Sequence, residues 1–412
     1  MFARWYGDKL RRALARPYVQ IVFGARQTGK STLLRGLLPP DALIFDLANA
    51  AERSQMLAHP SHFLNVCRQV PKRAEPTTVF VDEAQLAPAV FDNVQHLYDG
   101  DKRRWRFVLC GSSARKLRKT GANLLPGRCF LHRLMPLTLA ERPTPQPAHA
   151  AYSTFPLALS ALPANATPFP SADLETRLAC GELPGVVAAE PADRAELLRA
   201  YAVVHLEEEI RREALVKDWG AFLRFLAFAA AESGGILNYA AISQESGLAL
   251  NTVKSHYQLL TDMFIGFSVP AWSRSRRKNL LSTPKFLFFD LGVRNAAAGQ
   301  DPSPATVRAN PGPLFEQWVG VELWKRLQYL GGSLHYLRTR DGAEVDYIVE
   351  HAGRLLPVEV KWTENPSPTD ARHLLTFLAE NPKRAKHAYI ICRCERPLRL
   401  HDKVTALPWY CL

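Results

Sequence analysis

Residues 24–31 read Gly24-Ala25-Arg26-Gln27-Thr28-Gly29-Lys30-Ser31, the G-x-x-x-x-G-K-[ST] spacing with which a backbone turn cradles phosphate. Phosphate oxygens need a concave array of N–H donors, which a glycine-permissive turn and the positive end of a following helix supply together. Lys30 would then reach the β- and γ-phosphates of ATP and the Ser31 hydroxyl would ligate Mg²⁺. Gly24, Gln27, Thr28, Gly29 and Thr32 complete the expected nucleotide contacts. Such a site also needs carboxylates at a neighbouring strand end, and "TTVFVDEAQ" offers Asp82 for the metal shell and Glu83 to polarise the attacking water. The same pair could instead cap the next helix. "RFVLCGSS" ends in Ser112, a candidate γ-phosphate sensor or water-positioning group. Arg128, in "LLPGRCFLHRL", is expected at the edge of the sheet's phosphate side. There it could complete a neighbouring subunit's site as a catalytic finger. Arg115 and Arg118 are rivals, and an ordinary surface arginine is the alternative.

A second set of polar residues lies far along the chain. "LFEQWVGVELWKRL" reads as an amphipathic helix carrying Glu316, and "GAEVDYIVEHAGRLLPVEVKW" as a strand pair carrying Asp346 and then Glu359-Val360-Lys361. An acidic residue on one strand and Glu-x-Lys on the next is how PD-(D/E)xK nucleases hold Mg²⁺ and orient a water. Asp346, Glu359 and Glu316 would be ligands, with Lys361 steadying the nucleophile. Period-two alternation on a half-buried strand explains Val-Glu-Val-Lys equally well. Between these regions, "NYAAISQESGLALNTVKSHYQLLTDMFIGFSV" has a helix-turn-helix plan in which Lys254 lies on the second helix. A hairpin behind it puts Arg274, Arg276, Arg277 and Lys278 at the tip of a wing. These basic groups could meet DNA phosphates without reading sequence, or form a solvated loop on a lid that packs against the ATPase core.

The strings "GARQTGKSTLL", "VFVDEAQ", "LCGSSARKL", "LPGRCFLHRLMPLTLAE" and "GELPGVV" resemble bacterial and archaeal AAA-type ATPases. In those proteins a P-loop domain precedes a winged-helix segment and a restriction-endonuclease-like domain. The resemblance implies an ASCE-class ATPase working as a ring, such as a hexamer, or as another homo-oligomer, with Arg128 at the family's Gly-Arg position. The chain departs from the family in a long Pro/Ala-rich stretch after Arg142.

The elements that must position these residues follow from hydrophobic patterning. "YVQIVFG", "ALIFDLA", "TTVFVDEAQ" and "WRFVLCG" are apolar, β-branched runs alternating with helical stretches, the signature of a parallel sheet covered on both faces. The expected class is therefore α/β: a P-loop sheet over 1–141, a Pro/Ala-rich linker or surface excursion over 142–175 and a helical connector over 176–231. A winged helix over 232–295 and a restriction-endonuclease-like α/β domain over 305–412 complete it. The N-terminal helix either covers the sheet or meets a neighbour.

With 412 residues and a formal net charge of +13 spread along the chain, at least two cores are expected, and a polyanion is a candidate partner. Seven scattered cysteines make no disulfide framework, and Cys392 and Cys394 lack a second pair at zinc spacing. No apolar run reaches the ~18–20 residues that cross a bilayer, so a cytoplasmic protein without membrane contact is expected. Three functions fit: an ATP-driven oligomeric motor on DNA, an ATP-licensed nuclease in defence or repair, and a signalling or scaffold ATPase that binds protein.

Overall fold

The computed structural model describes the chain except residues 1, 113–124, 147–154, 206–209, 211–215, 217, 274–282 and 340–341. The described chain divides into two compact units. One is Ala3–Met135 with Asp262–Phe264, and the other is Met1–Phe2, Pro136–Thr261 and Ile265–Leu412.

The first unit is a parallel sheet with helices. Among the described residues its strands are β1 (Val19–Phe23), β2 (Leu43–Asp46), β3 (Thr77–Asp82), β4 (Trp105–Gly111) and β5 (Cys129–Arg133), in the order β2-β3-β4-β1-β5. β1 is buried along its whole length, as a central parallel strand with both faces covered must be. The strand carrying the phosphate turn is thus separated from the carboxylate-bearing β3 by β4. Register does the positioning: Phe23 lies opposite Gly111, Val81 opposite Leu109, and Asp46 opposite Asp82. The C-terminal ends of β1, β3 and β4 therefore come level, gathering residues 24, 82 and 112 on one edge.

Helices α1 (Gly7–Leu14), α2 (Lys30–Arg35), α3 (Ala50–Ala58), α4 (His62–Gln69) and α5 (Ala89–Gly100) surround this sheet. Asn49 caps α3 by accepting from the backbone of Ala51 and Glu52, supplying partners for amides that a helix start leaves open. Phe63, Phe91, Phe107 and Val79 are fully buried in one apolar cluster beneath the sheet. Truncating any of these phenylalanines to alanine would cost about 3–5 kcal/mol.

In the second unit, helices α6 (Leu174–Cys180), α7 (Pro184–Ala188), α8 (Arg194–Ala200) and α9 (Trp219–Ala231) precede α10 (Tyr239–Ser246) and α11 (Leu250–Asp262). Gly247 turns the chain between α10 and α11 in the left-handed conformation, φ 71°, which glycine adopts without penalty. An antiparallel hairpin of β6 (Gly266–Val269) and β7 (Lys285–Phe288) follows. Then come α12 (Leu291–Ala297), α13 (Pro304–Ala309) and α14 (Pro311–Leu330).

The chain ends in a mixed sheet of β8 (Ser333–Arg338), β9 (Glu344–His351), β10 (Arg354–Val360), β11 (Ala388–Cys392), β12 (Leu398–His401) and β13 (Val404–Pro408). Its order is β12-β13-β11-β10-β9-β8. β10 pairs antiparallel with β9 and parallel with β11. Helix α15 (Arg372–Glu380) buries Leu374, Phe377 and Leu378 against Val345, Ile348 and Ile390 of this sheet.

One sequence expectation changes and one open alternative narrows. The helix carrying Glu316, read as amphipathic, is buried nearly all round, because charges in its apolar-looking half are neutralised inside the fold. Glu322, Lys325 and Arg326 are each about 1% exposed, and Glu322 lies 2.8 Å from Lys325 Nζ and 2.9 Å from the Arg326 guanidinium. The Pro/Ala-rich stretch after Arg142 is a packed excursion among its described residues and not a free linker. Phe155, Leu157 and Phe169 are buried, and the Phe155 amide donates to the Cys411 carbonyl at 2.9 Å. Its spaced aromatic residues outweigh its linker-like composition. No helix among the described residues is long and apolar enough to cross a membrane.

Candidate nucleotide site

The turn after β1 is shaped by close backbone approach. A Cβ at Gly24 would overlap the Leu134 carbonyl oxygen, so only glycine fits there, and Gly29 opens α2 at φ 83°. Two supports hold the turn from below: Thr28 Oγ1 donates to the Ala25 carbonyl at 3.0 Å, and the buried Arg4 guanidinium donates to the carbonyls of Thr28 and Met135, each at 2.6 Å. Arg4 was not singled out by motif reasoning, since it lies outside the phosphate spacing. Its neighbour Tyr6 bonds His132 Nδ1 at 2.8 Å, and His132 Nε2 bonds Gln20 Oε1 at 2.8 Å. Burial, aided by Lys9, pushes the His132 imidazole down to about 4. This segment anchors the N-terminal helix to its own sheet.

Lys30 folds over the turn, donating to the Gly24 and Ala25 carbonyls at 2.9 and 2.7 Å. An ammonium has three donors, so one remains for a phosphate oxygen. Ser31 Oγ donates to Asp82 Oδ1 at 2.9 Å, and the Glu83 amide donates to the same oxygen at 3.1 Å. Arg35 approaches the other Asp82 oxygen at 3.5 Å while pairing Asp46 at 2.8 Å. Burial, more than any other influence, keeps the Cys110 thiol on β4 protonated. A hydroxyl and a carboxylate oxygen side by side suit a hard cation such as Mg²⁺.

Glu83 sits at φ 54°, a conformation uncommon for a non-glycine residue and concentrated at functional sites. Its carboxylate Oε2 receives a hydrogen bond from Ser112 Oγ at 3.3 Å and one from Gln85 Nε2. Gln85 also donates to Ser112 Oγ at 3.1 Å. Lys30, Ser31, Asp82, Glu83 and Ser112 are thus brought together by three strand ends. Thr32 follows Ser31 in the first turn of α2. Gln85, three residues past Asp82 in the quoted string, was missed. Its signal was a polar residue held in the short turn behind the carboxylates.

Arg128 is placed differently from the expectation. Cys129 pairs with Val19 and Arg133 with Phe23, so in this parallel arrangement Arg128 precedes the N-terminal end of β5, the edge opposite the phosphate turn. A five-residue strand spans roughly 16 Å, which puts Arg128 beyond reach of its own subunit's turn. Its guanidinium donates to Asp99 Oδ1 at 2.7 Å. Arg115 and Arg118 fall outside the described residues.

In the other unit, Asp346 Oδ2 accepts the Val360 amide at 2.7 Å, and Glu359 Oε1 accepts from Lys361 Nζ at 2.8 Å. Burial first, then Glu359 and Glu316, raises the Asp346 carboxyl well above its ordinary value, and burial raises Glu359 as well. Glu359 Oε2 is buried with no hydrogen-bond partner among the described residues. Glu316 is turned to Lys285, 2.9 Å away. Among the described residues no three His, Cys, Asp or Glu side chains converge to hold a metal ion. On α11, Val253, His256, Tyr257 and Leu260 are buried, whereas Lys254 is exposed with its ammonium 5.6 Å from the Tyr239 ring centre. Arg274, Arg276, Arg277 and Lys278 lie outside the described residues.

Residues 16–142 match the family model described as AAA domain, and residues 171–304 and 311–412 match two domains of unknown function, DUF8612 and DUF4143. The chain is 27% identical over 403 residues to the uncharacterized proteins Rv2008c of Mycobacterium tuberculosis and Mb2031c of Mycobacterium bovis, covering 97% of this chain and 82% of each relative. A solved structure, protein VC1899 from Vibrio cholerae, aligns over 92% of this chain and 90% of its own. The identity is 14% and the TM-score 0.16, too low to indicate a shared fold. The chain thus carries an AAA-type P-loop domain at its N-terminal end, followed by two domains of unknown function.

Proposed function

We propose that this protein is an ATP-hydrolysing, homo-oligomeric AAA-type motor that acts on duplex or branched DNA. The observation that carries the reading is the meeting of Lys30, Ser31, Asp82, Glu83 and Ser112 at one sheet edge. Bound Mg²⁺ would neutralise charge on the β- and γ-phosphates, with Ser31 and Asp82 as its protein-side oxygens. The free N–H of Lys30 binds phosphate, Glu83 accepts a proton from the attacking water, and Ser112 holds the Glu83 carboxylate. Arg128 would serve only a neighbouring subunit, since it stands at the far edge of its own sheet. Tyr18, Phe130 and Leu131 are exposed at and beside the edge strand β5, an apolar surface suited to a subunit contact. Support for DNA comes from the net charge of +13 and from the outer face of α11, where Asn251, Lys254, Ser255 and Gln258 are exposed opposite its buried stripe. The test is Mg²⁺-dependent ATP hydrolysis with and without DNA at low salt. Turnover unmoved by single-stranded, duplex or branched DNA would sink the motor.

A second reading, an ATP-licensed nuclease, draws on the buried Asp346–Glu359 pair and the partnerless Glu359 oxygen. It requires Mg²⁺- or Mn²⁺-dependent cleavage that Asp346→Ala and Lys361→Ala each abolish.

A further inference from the structure

We infer that Gln85 is a positioning residue for hydrolysis: its side-chain amide fixes the Glu83 carboxylate through a contact that only a glycine at position 111 permits. The inference rests on the ATPase reading above and adds to it a residue outside the phosphate motifs.

Gln85 is 4% exposed and Ser112 is 2% exposed. Gln85 Nε2 has two N–H groups, and both are used: one goes to Glu83 Oε2 and the other to Ser112 Oγ at 3.1 Å. Ser112 in turn donates its only proton to Glu83 Oε2. The three side chains close a ring of hydrogen bonds in which one carboxylate oxygen takes two donors. Bonds to an ionised acceptor are about twice as strong as neutral ones. The ring fixes the orientation of the amide, because turning it over would set its carbonyl against a carboxylate. The consequence is visible on the other side of the group, where Gln85 Oε1 is buried without a hydrogen-bond partner among the described residues.

Leaving such an acceptor without a protein partner is unfavourable, and Glu83 and Ser112 compensate on the donor side. Gln85 Oε1 lies against Gly111, where a Cβ would overlap it. Gly111 needs no left-handed backbone, so its lack of a side chain serves this contact and not a turn. Glu83 is therefore held from two directions, by its own φ of 54° and, through Oε2, by this ring.

The test compares wild type with Gln85→Met, which keeps volume but removes both donors, and with Gly111→Ala, which displaces the amide while leaving Gln85 in the sequence. Each is measured for Kd of a fluorescent ATP analogue and for kcat and KM in Mg²⁺-ATP hydrolysis. The expected result is a kcat lower by about ten- to a hundred-fold in both variants, the scale for losing an outer partner that orients a functional group, with Kd and KM within about two-fold of wild type. In a Glu83→Gln background, Gln85→Met should change single-turnover rate by less than two-fold, because the group it positions is gone. An unchanged or increased kcat in Gln85→Met overturns the inference while the ATPase reading stands. So does an equal loss in the Glu83→Gln background, or loss of ATP binding along with turnover. A wild type that neither binds nor hydrolyses ATP overturns both.

Discussion

Ser31 and Asp82, fifty-one residues apart in sequence, share a 2.9 Å hydrogen bond between hydroxyl and carboxylate Oδ1. Nothing local in the chain joins them. They meet because β4 is inserted between β1 and β3 and the register levels all three strand ends.

Lys30 should be the anchor of nucleotide binding. Lys30→Ala is expected to weaken ATP by at least ten-fold and to abolish hydrolysis, measured by equilibrium titration and phosphate release. Asp82→Asn should spare binding without metal but remove the Mg²⁺ dependence of affinity. Equal affinity for wild type and Lys30→Ala would be incompatible with the site.

Glu83 should separate binding from chemistry. Glu83→Gln is expected to keep ATP affinity within about two-fold while kcat falls by about 10²–10⁴, the range for losing a general base. Retained turnover would move the base elsewhere.

Arg128 predicts a subunit-crossing effect. Arg128→Ala should leave ATP affinity intact, and mixing it with Lys30→Ala protein should restore turnover at interfaces that join an intact turn to an intact arginine. If mixtures stay as inactive as the separate proteins, Arg128 is no finger.

Stability of the second unit should depend on pH through two buried carboxyls of opposite sign. Burial raises Asp290 to about 6, where it accepts the amides of Glu182 and Val293 at 2.6 and 3.1 Å. The folded state then holds a proton that the unfolded chain has lost, so stability falls as pH rises from about 4 through 6, by about 3 kcal/mol in all. Asp290→Asn should flatten that part of the profile. The measurement is urea unfolding followed by tryptophan fluorescence, since Trp219, Trp272, Trp318, Trp324, Trp362 and Trp409 all belong to this unit. An unchanged slope in Asp290→Asn would disprove the assignment.

Glu322 works the other way. Burial would raise it, but Lys325 and Arg326 outweigh burial and hold it down at about 2, so its stabilisation is present above about pH 4.5 and is lost as pH falls toward 2. Glu322→Gln leaves two buried cations uncompensated and should destabilise the unit by about 3–5 kcal/mol at neutral pH. A loss under 1 kcal/mol would mean that the cations find other partners.

The sequence made the phosphate turn legible because eight consecutive residues carry its whole geometry, and Asp82 and Glu83 were legible because a strand pattern runs straight into them. Arg128 was misplaced because its position before a strand says nothing about which end of the sheet the strand presents. Only the pairing of Cys129 with Val19 does. Gln85 and Arg4 were invisible because their partners are backbone carbonyls or residues brought close by the sheet. For the stretch after Arg142, linker and excursion both stayed open because composition averages over Phe155 and Phe169, whose burial decides between them. The charges of α14 looked solvent-facing until the neighbours of Glu322 were known.

The central claim is that the turn after β1 and the tip of β3 form one hydrolytic centre. The most direct measurement is phosphate release from Mg²⁺-ATP by the purified full chain, with Lys30→Ala and Glu83→Gln alongside and DNA both absent and present. Turnover is expected in wild type, none in Lys30→Ala, and only a residual rate lower by at least about a hundred-fold in Glu83→Gln, which alone of the two variants keeps wild-type ATP binding. Absence of both binding and phosphate release in wild type under every one of these conditions would contradict it.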